Sequence, residues 1–186
     1  MEIRLLVPDD AGEWLRLRVE ALQGDPAAFS ASLEEYQSLS VEDVKKRLWS
    51  GADAFVVGAF GGSRMAGTAG FYREKGPKSR HKGRVWGVYV TPAARGAGLG
   101  QKLMKALLER GMAVEGVEQV LLSVAATQAA AIRLYRSLGF ESFGREPRAL
   151  KIGERFVDEE YMIPRKVKDP TSPKNGENMG QPLTNS

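Results

Sequence analysis

A glycine-rich segment that follows a short run of β-branched and aromatic residues has the composition of an anion-binding turn. The run Val88, Tyr89 and Val90 stops before Pro92, and glycines then occupy alternate positions from residue 96 to residue 100. Apolar residues recur after it at helical spacing: Leu99, Leu103, Met104, Leu107 and Leu108. This pattern predicts the order strand, turn, helix, so that backbone N–H groups and the positive end of a helix dipole converge on one spot. The chemistry predicted there is binding of a phosphate or pyrophosphate.

The spacing of these glycines excludes two common phosphate-binding motifs. Counted from Gly96, a Walker loop and the dinucleotide fingerprint both require a glycine at Gln101. The remaining pattern is Arg-x-x-Gly-x-Gly over residues 95–100. It resembles the acyl-CoA-binding signature of the GNAT superfamily of N-acetyltransferases. The resemblance implies that the turn holds the CoA pyrophosphate, with Arg95 beside it, whereas in an ordinary β–α connection the same glycines would serve only close packing.

A second segment extends the resemblance along the chain. Ala131, Leu134, Tyr135 and Leu138 share one face of a predicted helix, which Gly139 ends before a strand starts at residue 140. The pattern Ala-x-x-Leu-Tyr-x-x-x-Gly-Phe looks like the later GNAT motif. The resemblance implies that the Tyr135 hydroxyl lies near the CoA sulfur and protonates the leaving thiolate. Without the resemblance, Tyr135 is interpreted as a core aromatic residue with its hydroxyl at the surface.

The resemblance also implies how the carbonyl oxygen of the acyl group is stabilised. A bulge in the strand before the turn would free backbone amides that point at this oxygen, and Gly87 is the position suited to the bulge. Gln128 stands where many relatives carry asparagine. The residues predicted to contact the cofactor are Val88, Tyr89, Val90, Arg95, Gly96, Ala97, Gly98, Leu99, Gly100, Gln101, Gln128, Ala131 and Tyr135. Tyr135 is the predicted catalytic residue.

The group that takes the proton from the attacking amine is not identified by the sequence. The family often supplies a glutamate from the strand that carries the bulge, but residues 83–91 contain none. Glu34, Glu35, Glu74 and His81 are candidates by their charge and by their expected positions on loops beside the cleft. Each of them is also interpreted as an ordinary surface residue.

Composition limits the classes of protein to which the chain can belong. A length of 186 residues suits one compact domain with a substantial core. The absence of cysteine and the presence of a single histidine argue against disulfides, thiol nucleophiles and a metal site. No apolar stretch is long enough to span a membrane, and the first residues lack an apolar signal core. We therefore predict a cytoplasmic enzyme without a metal.

Positive charge is concentrated in one segment, although the formal net charge of the chain is only +4. Six basic residues lie between residues 73 and 84, and Tyr72 and Trp86 flank them. Because no aromatic residues are interleaved for base stacking, nucleic acid is not the expected partner. We interpret the segment as a solvated connection between strands that also steers the phosphates of CoA. The expected partners are acetyl-CoA and an amine, and a homodimer is left open.

The elements that must position these residues follow from the periodicity. Strands are predicted at residues 3–7, 54–60, 63–71, 84–90, 120–124, 141–149 and 155–163. Helices are predicted from residue 9 or 10 to 22, from about 41 to 49, from 99 to about 115 and from 129 to 138. A hairpin beside β–α–β units indicates an α/β fold with a mixed sheet and helices on both faces. The resemblance implies the GNAT fold, a mostly antiparallel twisted sheet of about seven strands, over residues 1–164, followed by a flexible polar tail at residues 165–186.

The predicted function is that of an acetyl-CoA-dependent N-acetyltransferase acting on the primary amine of a small, amino-acid-like metabolite, by direct attack in a ternary complex. One alternative is acetylation of a protein N-terminus or lysine, and another is a non-catalytic acyl-CoA sensor. Two segments are expected to determine the acceptor. Residues 25–39 carry acidic and aromatic side chains, and residues 148–156 carry basic ones, so the sequence does not select one amine.

Overall fold

The computed structural model describes residues 1–48 and 52–165, so that the predicted tail lies, apart from Arg165, outside the described residues. The strands are β1 (Glu2–Leu5), β2 (Ala54–Gly61), β3 (Arg64–Arg73), β4 (Lys82–Val90), β5 (Gln119–Ala125), β6 (Phe140–Ile152) and β7 (Arg155–Pro164). The α-helices are α1 (Ala11–Gly24), α2 (Leu33–Gln37), α3 (Val41–Leu48), α4 (Leu99–Met112) and α5 (Ala129–Ser137). Short 3₁₀ turns at Pro8–Asp10, Pro26–Ala28 and Pro92–Ala94 connect some of them.

The strands form one sheet in the order β1-β2-β3-β4-β5-β7-β6. Neighbouring strands run antiparallel except β4 and β5, which are parallel. A parallel pair requires a crossover connection, and helix α4 supplies it between the two strands. The predicted mixed, mostly antiparallel sheet of about seven strands is therefore confirmed.

Helices cover both faces of the sheet, as predicted. Helices α4 and α5 pack on one face, around a core that includes Phe71, Leu103 and Tyr135. Helices α1 and α3 pack on the other face, around a core that includes Trp14 and Phe60. None of the helices in the described part of the chain is long and apolar enough to cross a membrane.

Several elements begin or end a few residues from their predicted bounds, and one region differs in kind. Residues 25–39 were expected to form a loop, but they contain the 3₁₀ turn Pro26–Ala28 and helix α2. Ser32 and Glu35 begin α2 with reciprocal side-chain-to-backbone hydrogen bonds of 3.3 and 3.1 Å. Ser40 and Asp43 form the same kind of capping box at the start of α3, which was predicted as a helix. Helix α4 ends at Met112, three residues before the predicted end.

Two glycines allow helix α4 to approach the sheet closely at Phe71. The Phe71 ring is fully buried, and a Cβ atom built on Gly83 of β4 or on Gly111 of α4 would stand 2.3 or 2.7 Å from it. Such distances are too short for a real contact. Glycine at both positions therefore lets the ring fill the space between helix and sheet.

We expect the substitution Gly111→Ala to destabilise the fold, although alanine favours helices. Overpacking of a filled core costs about 1–3 kcal/mol, which exceeds the gain of about 1 kcal/mol from helix propensity. Gly12→Ala is the matched control, because Gly12 also lies in a helix and an added Cβ would meet nothing within 4 Å. Urea unfolding should show a lower free energy of unfolding for Gly111→Ala and an unchanged or higher one for Gly12→Ala. Equal stability of the two variants would contradict the packing argument.

Candidate functional site

A cleft opens where the two parallel strands separate. Strands β4 and β5 pair only through residues 82–84 and 119–121. Beyond this point β5 leaves β4 and pairs with β7, through Leu122–Met162 to Ala125–Glu159. The second half of β4 therefore has no neighbour on this side, and its backbone edge lines the gap.

The cleft has a volume of about 410 Å³ and reaches from this gap to the glycine-rich turn. Its walls are β4 from Val85 to Val90, β5 from Leu122 to Val124, the turn, the start of α5 and the segment around Phe29. The predicted cofactor residues that line it are Val88, Tyr89, Val90, Arg95, Gly96, Gly98, Leu99, Gly100, Gln101, Gln128, Ala131 and Tyr135. Ala97 does not line it and is exposed to solvent.

The bulge predicted at Gly87 is present in β4. The register between β3 and β4 skips there, because Thr68 is opposite Tyr89 whereas Gly70 is opposite Trp86. Gly87 has φ +61°, a left-handed conformation that side chains rarely adopt. The bulge therefore interrupts the regular ladder in the wall of the cleft.

The three glycines of the turn serve two different purposes. Gly96 and Gly98 have φ +83° and +72°, and a Cβ atom at either would project into open space. Gly100 has an ordinary helical conformation, and a Cβ there would meet the Leu134 side chain of α5 at 3.2 Å. The first two glycines shape the turn, and the third allows α4 and α5 to approach each other.

The N-terminus of α4 is left open toward the cleft. Gly98 is its N-cap residue, and no side chain caps the helix. Arg95 lies beside it, with its Nε donating to the Val90 carbonyl oxygen at 3.0 Å and its guanidinium 5.7 Å from the Tyr89 ring centroid. The helix end and Arg95 together present positive charge at the mouth of the cleft.

Glu20 of α1 holds the end of β4 in place, a role that the sequence did not indicate. Its carboxylate accepts hydrogen bonds from the Thr91 hydroxyl at 2.6 Å, the Tyr89 hydroxyl at 3.2 Å and the Arg16 guanidinium at 2.8 Å. Burial alone would raise the pKa of Glu20, but these hydrogen bonds lower it below its usual value. Glu20 therefore stays ionised and ties α1 to the strand that leads into the turn.

Tyr135 lies on α5 and is one of the residues that line this cleft. The residue is 6% exposed, and its ring packs against Phe140 with the ring centroids 6.2 Å apart. Across residues 1–48 and 52–165, the Tyr135 hydroxyl makes no hydrogen bond. Burial raises the pKa of Tyr135 well above its usual value. The hydroxyl is therefore a protonated donor with no acceptor inside the described fold.

Gln128 connects the start of α5 to the segment after α1. Its Nε2 donates to the Asp25 carboxylate at 2.7 Å, and both residues line the cleft. The amide donor that the resemblance assigns to the cofactor is therefore already committed to Asp25. The contact joins the two sides of the cleft at this end.

The three carboxylates and the imidazole considered as proton acceptors do not line the cleft. Glu34 and Glu35 are exposed on α2, where Glu35 belongs to the capping box. Glu74 forms an ion pair of 2.8 Å with Arg84, and His81 lies just before β4, at the opposite end of that strand from the turn.

Glu159 is a carboxylate beside the cleft that the sequence did not indicate. It lies on β7 opposite Ala125 and does not itself line the cleft, but it interacts with the hydroxyl of Ser123, which is a cleft-lining residue. Burial raises the pKa of Glu159, the Glu146 carboxylate adds to the rise, and the hydrogen bond from Ser123 opposes it. Only the β5–β7 register brings these residues together, because they are far apart in the sequence.

Comparisons with known proteins agree on one family. The model of the acetyltransferase (GNAT) family matches residues 18–140. The mycothiol acetyltransferase of Streptomyces scabiei is 31% identical over 76% of this chain and 43% of its own length. The L-methionine sulfoximine/L-methionine sulfone acetyltransferase of Pseudomonas paraeruginosa is 41% identical over 37% of this chain and 38% of its own. The chain thus spans less than half the length of these curated relatives.

Solved structures show the same fold. The acetyltransferase of the GNAT family from Streptococcus pneumoniae superposes with a TM-score of 0.77 at 24% identity, over 87% of this chain and 97% of that one. yncA from Salmonella typhimurium, solved with its cofactor acetyl-CoA, superposes with a TM-score of 0.76 at 22% identity, over 95% and 99% of the two chains. With the family model matching well over half of its residues, the chain belongs to the acetyltransferase (GNAT) family.

Proposed function

We propose that the protein transfers the acetyl group of acetyl-CoA to the primary amine of a small, amino-acid-like molecule, by direct attack in a ternary complex. The observation that carries the proposal is the cleft between the separated strands β4 and β5, with the glycine turn at one end and the Gly87 bulge in its wall. Relatives named for mycothiol and for L-methionine sulfoximine or sulfone support an acceptor of small size.

The residues of the turn fit the pyrophosphate of CoA. Gly96 and Gly98 leave open space above the backbone, and the uncapped end of α4 offers N–H groups to an anion. Arg95 adds a positive charge at the same place. The unpaired backbone edge of β4, from Val88 to Val90, is suited to hold the amide-rich pantetheine arm as an added strand would be held.

Acetyl-CoA supplies the acetyl group as an activated thioester, and the cleft residues do the remaining work. The register shift at Gly87 supports the assignment of backbone amides at the Gly87–Val88 bulge to stabilise the negative charge that develops on the carbonyl oxygen. The Tyr135 hydroxyl donates a hydrogen bond to the sulfur as the C–S bond breaks and the thiolate leaves. The raised pKa of Tyr135 keeps this donor protonated up to alkaline pH.

The attacking amine must lose a proton, and Glu159 is the group that we assign to accept it. Ser123 lines the cleft and its hydroxyl interacts with the Glu159 carboxylate behind it, so we assign the proton a path from the amine through the Ser123 hydroxyl to Glu159. A carboxylate whose pKa is raised is a stronger base than an ordinary one. The raised pKa of Glu159 therefore suits the role.

We expect Glu159→Gln to lower kcat/KM by roughly 10²-fold, the usual scale for loss of a general base. In the wild type the rate should rise with pH as Glu159 loses its proton, and the variant should lack this rise. Glu146→Gln is the control, because Glu146 lies on β6 outside the cleft and raises the pKa of Glu159. Glu146→Gln should keep the maximal rate of the wild type. It should reach that rate at lower pH, because loss of the Glu146 charge lowers the pKa of Glu159. If the rate of Glu159→Gln still rose with pH as in the wild type, Glu159 would not be the group that accepts the proton.

Release of free thiol from acetyl-CoA over a panel of amines tests the function itself. The panel contains L-α-amino acids, L-methionine sulfone, polyamines and short peptides with free N-termini or lysines. We expect release with amino acids and little with peptides. Release with peptides alone would favour a protein substrate, and CoA binding without release for any amine would favour a sensor.

A further inference from the structure

Arg18 of α1 is a buried cation without a counter-ion. The residue is 5% exposed, and neither its Nε nor its Nη1 has a hydrogen-bond partner in the described part of the chain. No carboxylate of the described residues lies within ion-pair distance of it. Burial lowers the pKa of Arg18, and the nearby Tyr36 and Glu35 offset this only in part. A buried guanidinium whose charge is only partly compensated destabilises the fold, so a purely structural role does not explain it.

Two aromatic side chains hold the guanidinium in place, and Tyr36 also stabilises its charge, but Nε and Nη1 stay without a hydrogen-bond partner among the described residues. Its central carbon lies 4.7 Å from the centroid of the Phe29 ring and 5.0 Å from that of Tyr36. Ring faces attract positive charge but are poor acceptors for N–H groups. The arrangement therefore fixes the position of Arg18 and leaves N–H donors available for another acceptor.

These donors lie against the bulge of β4. A Cβ atom built on Gly87 would stand 3.5 Å from the Arg18 Nη1, and Gly87 has no side chain to fill this space. Gly87 and Phe29 both line the cleft. Arg18 itself does not line the cleft; it lies directly behind Gly87 and Phe29, on the α1 side of the point where, in the proposed function, the acetyl carbonyl is held.

We propose that Arg18 binds a carboxylate of the acceptor, and that the acceptor is therefore an α-amino acid or a close analogue with free amine and carboxylate on neighbouring carbons. The inference rests on the proposed function. A carboxylate can accept two parallel N–H bonds from one guanidinium and would neutralise its charge. It would place the adjacent amine at the bulge, with Glu159 beyond Ser123 on the β5 side to attract the ammonium form.

A peptide substrate does not meet this requirement. The amine of a peptide N-terminus or of a lysine side chain within a peptide has no carboxylate on the adjacent carbon, so Arg18 would stay unpaired in the complex. The charge pattern therefore favours free amino acids over proteins as acceptors.

The test compares L-leucine, L-methionine and L-phenylalanine with their primary amides, which keep size and amine but lose the negative charge. For the best of these acids, kcat/KM should exceed that of its amide by about 30-fold or more, mainly through KM, since a hydrogen bond to a charged group contributes on that scale. In Arg18→Met this preference should disappear, and Arg18→Lys should restore part of it. An amide or peptide used as well as the acid, or a preference that survives in Arg18→Met, would overturn the assignment.

Arg18→Met is expected to fold, because an apolar side chain of similar length replaces an unpaired buried charge. Its melting temperature and its thermal shift with CoA should equal or exceed those of the wild type. Arg110→Met is the matched control: Arg110 also lies over a phenylalanine ring, Phe55, but outside the cleft. This variant should keep the preference for the acid.

Calorimetry separates this proposal from the proposed function. If no amine releases thiol, the proposed function fails, and binding of the same acids and amides in the presence of CoA still tests Arg18. Tighter binding of an acid than of its amide, lost in Arg18→Met, would support the carboxylate site. Equal binding of acid and amide, or no binding of either, would refute it.

Discussion

The substitution Gly98→Val is expected to remove most of the affinity for CoA. Gly98 has φ +72° and stands at the N-terminus of α4, with open space where a Cβ would project. A valine would fill the space assigned to the pyrophosphate and strain the backbone of the turn, because β-branched residues strongly disfavour positive φ. The filled space directly opposes binding of the pyrophosphate, so we expect the dissociation constant to rise by about 10²-fold or more.

Gly62→Val is the control variant for the effect of backbone strain alone. Gly62 lies in the β2–β3 turn with φ +65° and open space around an added Cβ, so the strain is matched but the cleft is distant. Wild type and Gly62→Val should gain thermal stability with CoA or acetyl-CoA, and far less with NAD or ATP, because only a ligand of the folded state stabilises it. A normal CoA-induced shift in Gly98→Val would disprove the assignment of the turn to the pyrophosphate.

The parts of the site that could be predicted from sequence are those encoded locally. The order strand, bulge, turn and helix from residue 84 to residue 112 depends on neighbours in the chain, and its glycines show in the sequence. The bulge at Gly87 was predicted and is present. The capping box of α2 at Ser32 and Glu35 was equally visible, but the expectation of a loop in residues 25–39 hid it.

The other parts of the site depend on contacts between distant segments. Glu159 reaches Ser123 only because β5 leaves β4 and pairs with β7 in one register. Arg18 reaches Gly87 only because α1 crosses the face of the sheet at the bulge. Neither residue has a sequence signal of its own, since an arginine in an amphipathic helix and a glutamate in a strand are usually solvated. The role of Gly100 in helix packing likewise follows from Leu134, which is 34 positions further along the chain.

Tyr135→Phe is expected to lower turnover by roughly 10²-fold, the usual scale for a proton donor in the transition state. The substitution keeps the ring and its contact with Phe140 and removes only the hydroxyl, which bonds to none of the described residues. Stability and CoA affinity should therefore change little. The hydroxyl matters when charge builds on sulfur, and this appears in kcat rather than in binding.

The raised pKa of Tyr135 indicates how its hydroxyl acts on the leaving sulfur. A phenol has a pKa of about 10 and a free thiol one of about 8.5, so proton transfer to the thiolate is already uphill, and burial increases the difference. Tyr135 should therefore act mainly by hydrogen bonding to the sulfur, and its ionisation should cause no loss of rate below about pH 10.

Rates for Tyr135→Phe must be measured with saturating amine, so that weak acceptor binding does not hide a slow chemical step. Tyr72→Phe serves as the control for loss of a phenolic hydroxyl, because Tyr72 is 42% exposed and lies outside the cleft. Weaker CoA binding at unchanged turnover would make Tyr135 a binding residue, and the hydrogen bond to the leaving thiolate would then come from water. Wild-type turnover with wild-type CoA affinity would mean that Tyr135 is a core aromatic residue whose hydroxyl takes no part in the reaction.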